Sequence, residues 1–432
     1  MKWRKQLIAA GIVALATTAG LILTACSKED DTSADGKVTI EYFNQKTEMV
    51  DTLKEIIKDF EAENPNIHVK MTSVPSAGTV LKTRMLAGDA PDVINIYPQN
   101  VDFKEWAKAG YFEDMTGKSY LENIKNNYAE NYAVNGKIYS VPLSANVSGI
   151  YFNKTKFDEL GLKVPETWDE FATLVKQIKA DGETPFALAG SEGWTLNGYH
   201  QLAYISVTGS GDKANDYLRF SPVNSISTSD NEVKEVLTRL DLLADKGNQQ
   251  SNWEGASYND SVVAFATEEA LMIPGGSWVL AAIKQQDPDF EISTFAFPGE
   301  KTGQEATVGA GDLALSISSS TKHKKECEKF ISYMASAEAM QKYYDVDGSP
   351  VSVEGVVEDD NSPLAPLYQL AFTDKHYVWL GENWTSEDDF FSLTANYILN
   401  QDADQYVSEL NAFFNPMKAD VNNRRRIECE NF

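Results

Sequence analysis

Flat rings and planar polar side chains placed in loops are the groups of this sequence best suited to chemistry, and the chemistry they suit is binding. Trp194 and Trp278 each follow a glycine-bearing loop, Gly190-Ser191-Glu192-Gly193 and Pro274-Gly275-Gly276-Ser277, at the end of a strand-like run. Trp253, Trp379 and Trp384 lie in irregular stretches with many polar neighbours, QSNWEGASY and YVWLGENWTS. The second stretch reads as a ligand platform or as the small core of a surface loop. Gln45, Glu48, Gln99 and Asn100 follow two strand-like runs, and Asp312 follows Gly309-Ala310-Gly311; each of these also reads as a turn residue. Rings supply broad contact at small entropy cost, and Asn, Gln, Asp and Glu hold donors and acceptors in fixed planes.

Catalytic and cofactor signals are weak by comparison. Gly209-Ser210-Gly211-Asp212-Lys213-Ala214 fits a loose dinucleotide pattern but neither follows a clear strand nor opens a clear helix. Asp345-Val346-Asp347-Gly348 begins like a calcium loop, yet its glycine stands at loop position 4 and Pro350 occupies position 6. Gly275-Gly276-Ser277 lacks the second glycine of a nucleophile elbow. His68, His200, His323 and His376 are scattered singly and no Cys-x-x-Cys occurs, so a zinc site is not expected. With 64 Asp and Glu in the chain, a chance carboxylate pair carries no argument for a glycosidase. No cofactor or metal is expected.

The elements that must position the loops follow from periodicity. Residues 37–43 alternate as a strand, and residues 48–63 repeat Met49, Leu53, Ile56, Ile57 and Phe60 as a helix ended by Asn64-Pro65. A strand over 67–74, a helix capped by Ser76 and stopped at Gly88, and a strand over 93–97 complete a βαβαβ run, which implies a parallel sheet with helices on both faces. Ligands of such sheets sit beyond the carboxyl ends of the strands. That rule selects Gln45, Glu48, Gln99 and Asn100.

Gly136 to Phe171 then reads as a strand, a Pro142-marked crossing, a second strand, a loop, and a helix over 168–179 opened by a Thr167–Glu170 capping box. Trp168 in that helix, and Trp106 in DFKEWAKAG, read as core. Further strands are expected over 184–188, 265–273, 290–297 and, in one run, 308–317. Helices are expected over 199–207, 232–245, 324–335, 338–344 and 388–414, with a disordered polar tail over 419–432.

A chain of 432 residues exceeds one core and suits two or three domains. Lys2, Arg4 and Lys5 precede an apolar run, Leu7 to Leu23, and Leu23-Thr24-Ala25-Cys26 resembles a bacterial lipobox. In that motif cleavage falls before the cysteine, so Cys26 would carry the lipid; the alternatives are a plain secretory cleavage site or a retained anchor. Several acyl chains give lasting attachment. Loss of residues 1–25 moves the formal net charge from −26 to −29, which repels phosphate backbones and excludes nucleic acid as a partner. Residues 26–36 read as a flexible tether. Cys327 and Cys429 remain, idle or paired.

Several segments together resemble the extracellular solute-binding lipoproteins that serve ABC importers, in the sugar-binding branch related to maltose-binding protein. They are Phe60-Glu61-Ala62-Glu63-Asn64-Pro65-Asn66-Ile67, Ala87-Gly88-Asp89-Ala90-Pro91-Asp92-Val93, the stretch Gly136 to Phe171, Ala270-Leu271-Met272 through Trp278, and Gly311-Asp312-Leu313-Ala314-Leu315-Ser316. Coverage runs from about residue 37 to residue 415. The resemblance implies an α/β, two-lobed periplasmic-binding-protein-like fold of type II with ligand in the interlobe cleft. Crossings are expected at Val141-Pro142-Leu143-Ser144, at 308–311 and near 358–366. One lobe would hold residues 37–143 and about 308–360, the other 144–307 and about 361–418.

In that branch Trp278 matches a stacking tryptophan, Glu192 and Trp194 match a carboxylate and an aromatic, and Asn146 stands where a glutamate is usual. The implied protein is a monomeric receptor, not an enzyme, held by its lipid on the outer face of the cell membrane. It would capture a sugar or oligosaccharide and deliver it to ABC permease subunits. A receptor for a non-sugar solute and a surface glycosidase are the alternatives. A cluster of Arg or Lys at the strand ends would favour an anionic solute, and only Lys46 stands there.

Overall fold

The computed structural model describes residues 36–46, 49–74, 77–384 and 387–430. The leader with Cys26, most of the tether, the helix cap expected at Ser76, and Glu48 lie outside these residues.

The first sheet is built as the periodicity requires. Strands β1 (Val38–Asn44), β2 (Ile67–Ser73) and β3 (Val93–Asn95) are parallel, with β1 between the other two. Helix Val50–Glu63 buries Leu53, Ile56, Ile57 and Phe60, one stripe at the spacing of helical turns. Phe60 and Tyr42 both meet Phe330 of helix Lys324–Met334, with ring centroids 5.2 and 5.5 Å away. The sheet is mixed rather than wholly parallel, because its other two strands come from elsewhere in the chain. β4 (Val141–Pro142) leaves towards the second lobe, while a strand over Ala314–Ile317 returns from it and pairs antiparallel with β3 and β4.

The second sheet places β5 (Ser148–Asn153) between β6 (Met272–Gly276) and β7 (Ile292–Phe295), all antiparallel. Around it packs an aromatic core in which Trp168 is buried and stacks on Phe297 at 6.1 Å. Trp106 likewise packs edge-on against Phe112 at 6.4 Å, so both core expectations hold.

The run expected as one strand over 308–317 is two: β8 (Thr307–Gly309), parallel to a strand over His376–Val378, and β9 (Ala314–Ile317), parted by a crossing at 310–313. The last strand is β10. The expected strand over 184–188 forms only isolated bridges at Phe186, and the one over 265–273 is largely the end of helix Tyr258–Ala266 and a turn. The expected loop after β5 contains helix Lys154–Leu160, whose first turn is capped by Asn153 Oδ1 accepting from Lys156 N at 2.8 Å. At Thr167 the hydroxyl accepts from Glu170 N at 3.3 Å as expected, but Glu170 reaches Glu166 N instead of closing the reciprocal box. The tail expected to be disordered continues helix Ala403–Glu430, beyond Pro416. No Gly or Pro interrupts that stretch after Pro416.

Three segments lie side by side where the sheets meet. Leu143 N donates to Leu313 O at 2.7 Å, Asn146 N to Ala310 O at 3.0 Å, and Ala145 N to Pro350 O at 2.9 Å. Ser352 closes the third side by donating to Leu143 O at 3.0 Å and, through its hydroxyl, to Pro142 O at 2.6 Å. Beyond Ser352 the third segment stays bonded to the first lobe, Glu354 N donating to Asn123 O at 2.8 Å and Asp359 N to Tyr344 OH at 2.7 Å. It reaches the second sheet where Thr294 Oγ1 donates to Pro363 O at 2.7 Å.

Two histidines are locked in their neutral form by this architecture. His376 Nδ1 accepts from Phe372 N at 3.1 Å, which assigns the proton to Nε2, facing Asn146 O at 3.2 Å. His200 lies between Thr394 Oγ1 and Tyr406 OH, each at 2.7 Å, and stacks on Phe390. Burial pushes His200 down to about 3 and His376 to about 4, from an ordinary value of 6.5. Above pH 6.5 neither ring costs stability. As pH falls below that value the unfolded chain takes up protons that the folded chain refuses. Stability then drops by about 1.4 kcal/mol per pH unit for each ring until its own folded value is reached. Asp347, held by burial above the usual carboxylate range, acts in the opposite sense, but it is one group against two. The thermal midpoint should therefore fall on acidification from about pH 6.5 to 4.5, and His376→Gln should flatten part of that slope; a midpoint indifferent to pH there would contradict the assignment.

Candidate ligand-binding site

The aromatic groups singled out by their loops are brought together at the end of the second sheet where β5 enters from the crossing. Trp194, Trp278 and Trp379 line one pocket with Ser148, Gly198, Tyr199, Gly276 and Phe297. An adjoining pocket is lined by Trp194, Trp278 and Tyr258, over Ala187, Pro274 and Gly275. The Trp194 centroid is 6.5 Å from Trp278 at 41° and 5.2 Å from Tyr258 at 51°. Trp194 and Trp278 keep 37% and 36% of their surface exposed, which is unusual for indoles and leaves a face for a ligand.

Local backbone explains each placement. Trp278 follows β6, and its ring folds back over Gly276, where a Cβ would lie only 2.0 Å from the indole. Trp194 sits in a short 3-10 turn, Gly193–Leu196, opened by Glu192. Trp379 follows β10, and its N–H donates to Gly309 O at 3.1 Å. Trp253 lies behind the loop, half-buried against the second core, and its carbonyl accepts from Gly190 N at 2.9 Å. Trp384 is the correction. It is 1% exposed, its ring meets Phe390 at 4.4 Å and Phe414 at 5.2 Å, and it belongs to the interior. The four residues of the 3-10 turn Leu380–Asn383 separate it from Trp379, enough to turn the two indoles to different surroundings.

Glu192 is already engaged. Its Oε2 accepts from Trp194 Nε1 at 2.7 Å and its Oε1 from Tyr258 N at 2.9 Å. Asn146 is also largely committed to the crossings, since Oδ1 accepts from Ala310 N at 2.9 Å and its backbone oxygen faces His376.

In the first lobe a polar cluster sits just past the end of β1. Lys46 donates to Asp312 Oδ2 at 2.7 Å with both side chains mostly buried. Asn44 fixes the loop, its Oδ1 accepting from Lys46 N at 3.0 Å and its Nδ2 donating to Lys46 O at 2.8 Å. Asp347 joins this pair: burial raises its carboxyl, the nearby Lys46 opposes the rise and Asp312 adds to it. The turn after Asp347 reaches the aromatic wall, for Ser349 Oγ donates to Ser277 Oγ at 3.1 Å, one residue before Trp278. Gln45 pins the strand ends instead, its Nε2 donating to Asn95 O at 2.7 Å. Gln99 holds a buried Oε1 without a hydrogen-bond partner, and Asn100 is exposed at the N-cap of helix Val101–Lys108, where its side chain makes no cap bond.

Tyr258 and Asp347 went unselected in the sequence. Tyr258 had a signal, the Ser257–Asp260 capping box that begins its helix, seen here with Asp260 N donating to Ser257 Oγ at 3.3 Å. Asp347 stood inside the rejected calcium pattern. Cys327 is a free, buried thiol.

A family model for bacterial extracellular solute-binding proteins matches residues 46–341. The chain is 70% identical over 422 residues to the multiple sugar-binding protein of Streptococcus mutans serotype c, covering 98% of this chain and 100% of that one. The ligand-free form of RafE from Streptococcus pneumoniae is 59% identical and superposes with a TM-score of 0.87, over 89% of this chain and 98% of that one. RafE in complex with raffinose, at the same 59% identity, gives 0.83 over 88% and 100%. By this match and by its two-lobed architecture, the chain belongs to the bacterial extracellular solute-binding proteins.

Proposed function

We propose that this protein captures a sugar, an oligosaccharide of the raffinose kind among the first to try, and delivers it to the permease of an ABC transporter. The observation that carries the reading is the set of three part-exposed indoles, Trp194, Trp278 and Trp379, lining one pocket. Such faces suit the CH-rich side of a pyranose, while Lys46, Asp312 and Asp347 suit its hydroxyls. The names of the multiple sugar-binding protein and of the RafE–raffinose complex support it.

The first lobe takes residues 37–143 and about 308–360 and the second 144–307 and about 361–418, with ligand held between them. Closure around it would be a hinge motion favoured by contacts to both lobes. The protein binds without turnover, acts as a monomer, and is held at the outer membrane face by lipid on Cys26. The charge of Lys46 is answered by Asp312 with Asp347 beside it, which speaks against a phosphorylated solute.

Titration of the purified protein with a panel of oligosaccharides including raffinose, read by tryptophan fluorescence, should give a saturable change for at least one. Silence across the panel with a response to an anionic or amine solute would sink the sugar reading, and release of reducing sugar would restore the glycosidase.

A further inference from the structure

We infer that Glu192 is a positioning residue for the aromatic wall, acting on ligand through Trp194 and Tyr258. This rests on the reading of that wall as the sugar site. Trp194 is more than a third exposed and stands on a turn of only four residues, so packing alone leaves its indole rotamer loosely determined. The Glu192 carboxylate supplies the missing constraint. One oxygen takes the indole N–H at 2.7 Å, short enough for a charge-assisted bond. The other takes the first backbone N–H of helix Tyr258–Ala266 at 2.9 Å, where the helix end favours a negative charge.

The loop that carries Glu192 is itself tied down. Glu192 N donates to Ala189 O at 3.1 Å, Ser191 Oγ to Ala256 O at 2.8 Å, and Thr195 Oγ1 to Glu192 O at 2.8 Å. One side chain thus sets the spacing between the turn bearing Trp194 and the helix bearing Tyr258, whose rings are 5.2 Å apart. Accepting the indole proton bond also pushes electron density towards the ring face, which strengthens its contact with sugar C–H groups. Binding then needs no ordering of the ring, a gain in affinity by preorganisation.

Calorimetric titration of the full chain with raffinose tests this in Glu192→Gln, Trp194→Ala and the double variant. Glutamine keeps the size and one acceptor oxygen but cannot serve both donors as acceptor through both arms. Glu192→Gln should weaken binding about tenfold alone and less than about twofold once Trp194 is already alanine. An equal loss in both backgrounds would mean that Glu192 contacts the sugar directly and would overturn the proposal, as would no loss in either. Near-ultraviolet circular dichroism of the unliganded proteins supplies a readout independent of ligand. Glu192→Gln should change the indole signal in the native background and leave it unchanged in Trp194→Phe; a signal unaltered by Glu192→Gln overturns the positioning. If the native protein ignores raffinose and every other sugar, the sugar reading falls while that signal still decides whether Glu192 holds Trp194.

Discussion

Trp278→Ala is expected to weaken sugar binding by roughly 100-fold while leaving the fold intact. The indole rests with one face on the backbone of Gly276, and the side chain remains 36% exposed. A pyranose stacked there would cover about 100 Å² of ring and sugar carbon, worth about 2.5 kcal/mol at ~25 cal/mol per Å². The orientation of the ring adds roughly 0.5 kcal/mol, and a total near 3 kcal/mol corresponds to about two decades in Kd. Because the ring lies at the surface of its lobe, alanine opens no internal cavity, and the melting midpoint should move by no more than a few degrees. Trp278→Phe should recover part of the affinity by restoring a smaller face. Trp384→Phe should do the reverse, leaving Kd unchanged and lowering stability, since that ring packs on Phe390 and Phe414. Calorimetry on the three variants separates these outcomes, and native affinity in Trp278→Ala would remove the residue from the site.

What the sequence revealed of this arrangement follows the range of the interactions. The βαβαβ run of the first lobe was legible because each helix carries its own stripe and each stop its own Asn-Pro or Gly, all within a few residues. Trp194 and Trp278 were legible because a glycine-bearing turn precedes each, after strand β6 in the case of Trp278, and leaves a ring face open. Trp379 and Trp384 were not separable, since one 3-10 turn decides which of them faces the pocket. The split between β8 and β9 was hidden for a related reason. Residues 310–313 carry Gly311 and Asp312 as local signs of a break, but what parts the two strands is their bonding to the neighbouring crossing, which lies 160 or more residues away in sequence. Lys46 and Asp347 show the same limit for charge. Lys46 stood as a lone cation at the strand ends and Asp347 inside a rejected calcium pattern until the fold brought each to Asp312.

Gly309→Ala is expected to be the most damaging single methyl in the described chain. A Cβ at this position would lie 1.9 Å from Asn146 O, closer than any non-bonded carbon and oxygen can stand. The neighbour cannot yield cheaply. Asn146 O is held by His376 Nε2 at 3.2 Å, Asn146 N by Ala310 O at 3.0 Å, and Gly309 O by Trp379 N at 3.1 Å, so relief on one side breaks bonds on the other. Overpacking of so rigid a contact costs about 3 kcal/mol or more, which would lower the melting midpoint by roughly 4 °C or more in a chain of this length. Gly255→Ala is the matched control, because a Cβ there meets nothing within 4 Å and should change stability by less than about 0.5 kcal/mol. A native midpoint in Gly309→Ala would show that the two crossings can slide apart. The expected intolerance has a consequence for motion: with segments 143–146 and 309–313 locked to each other by backbone bonds, closure must bend the crossings together as one ribbon, and a variant that wedges them apart should lose sugar affinity along with stability.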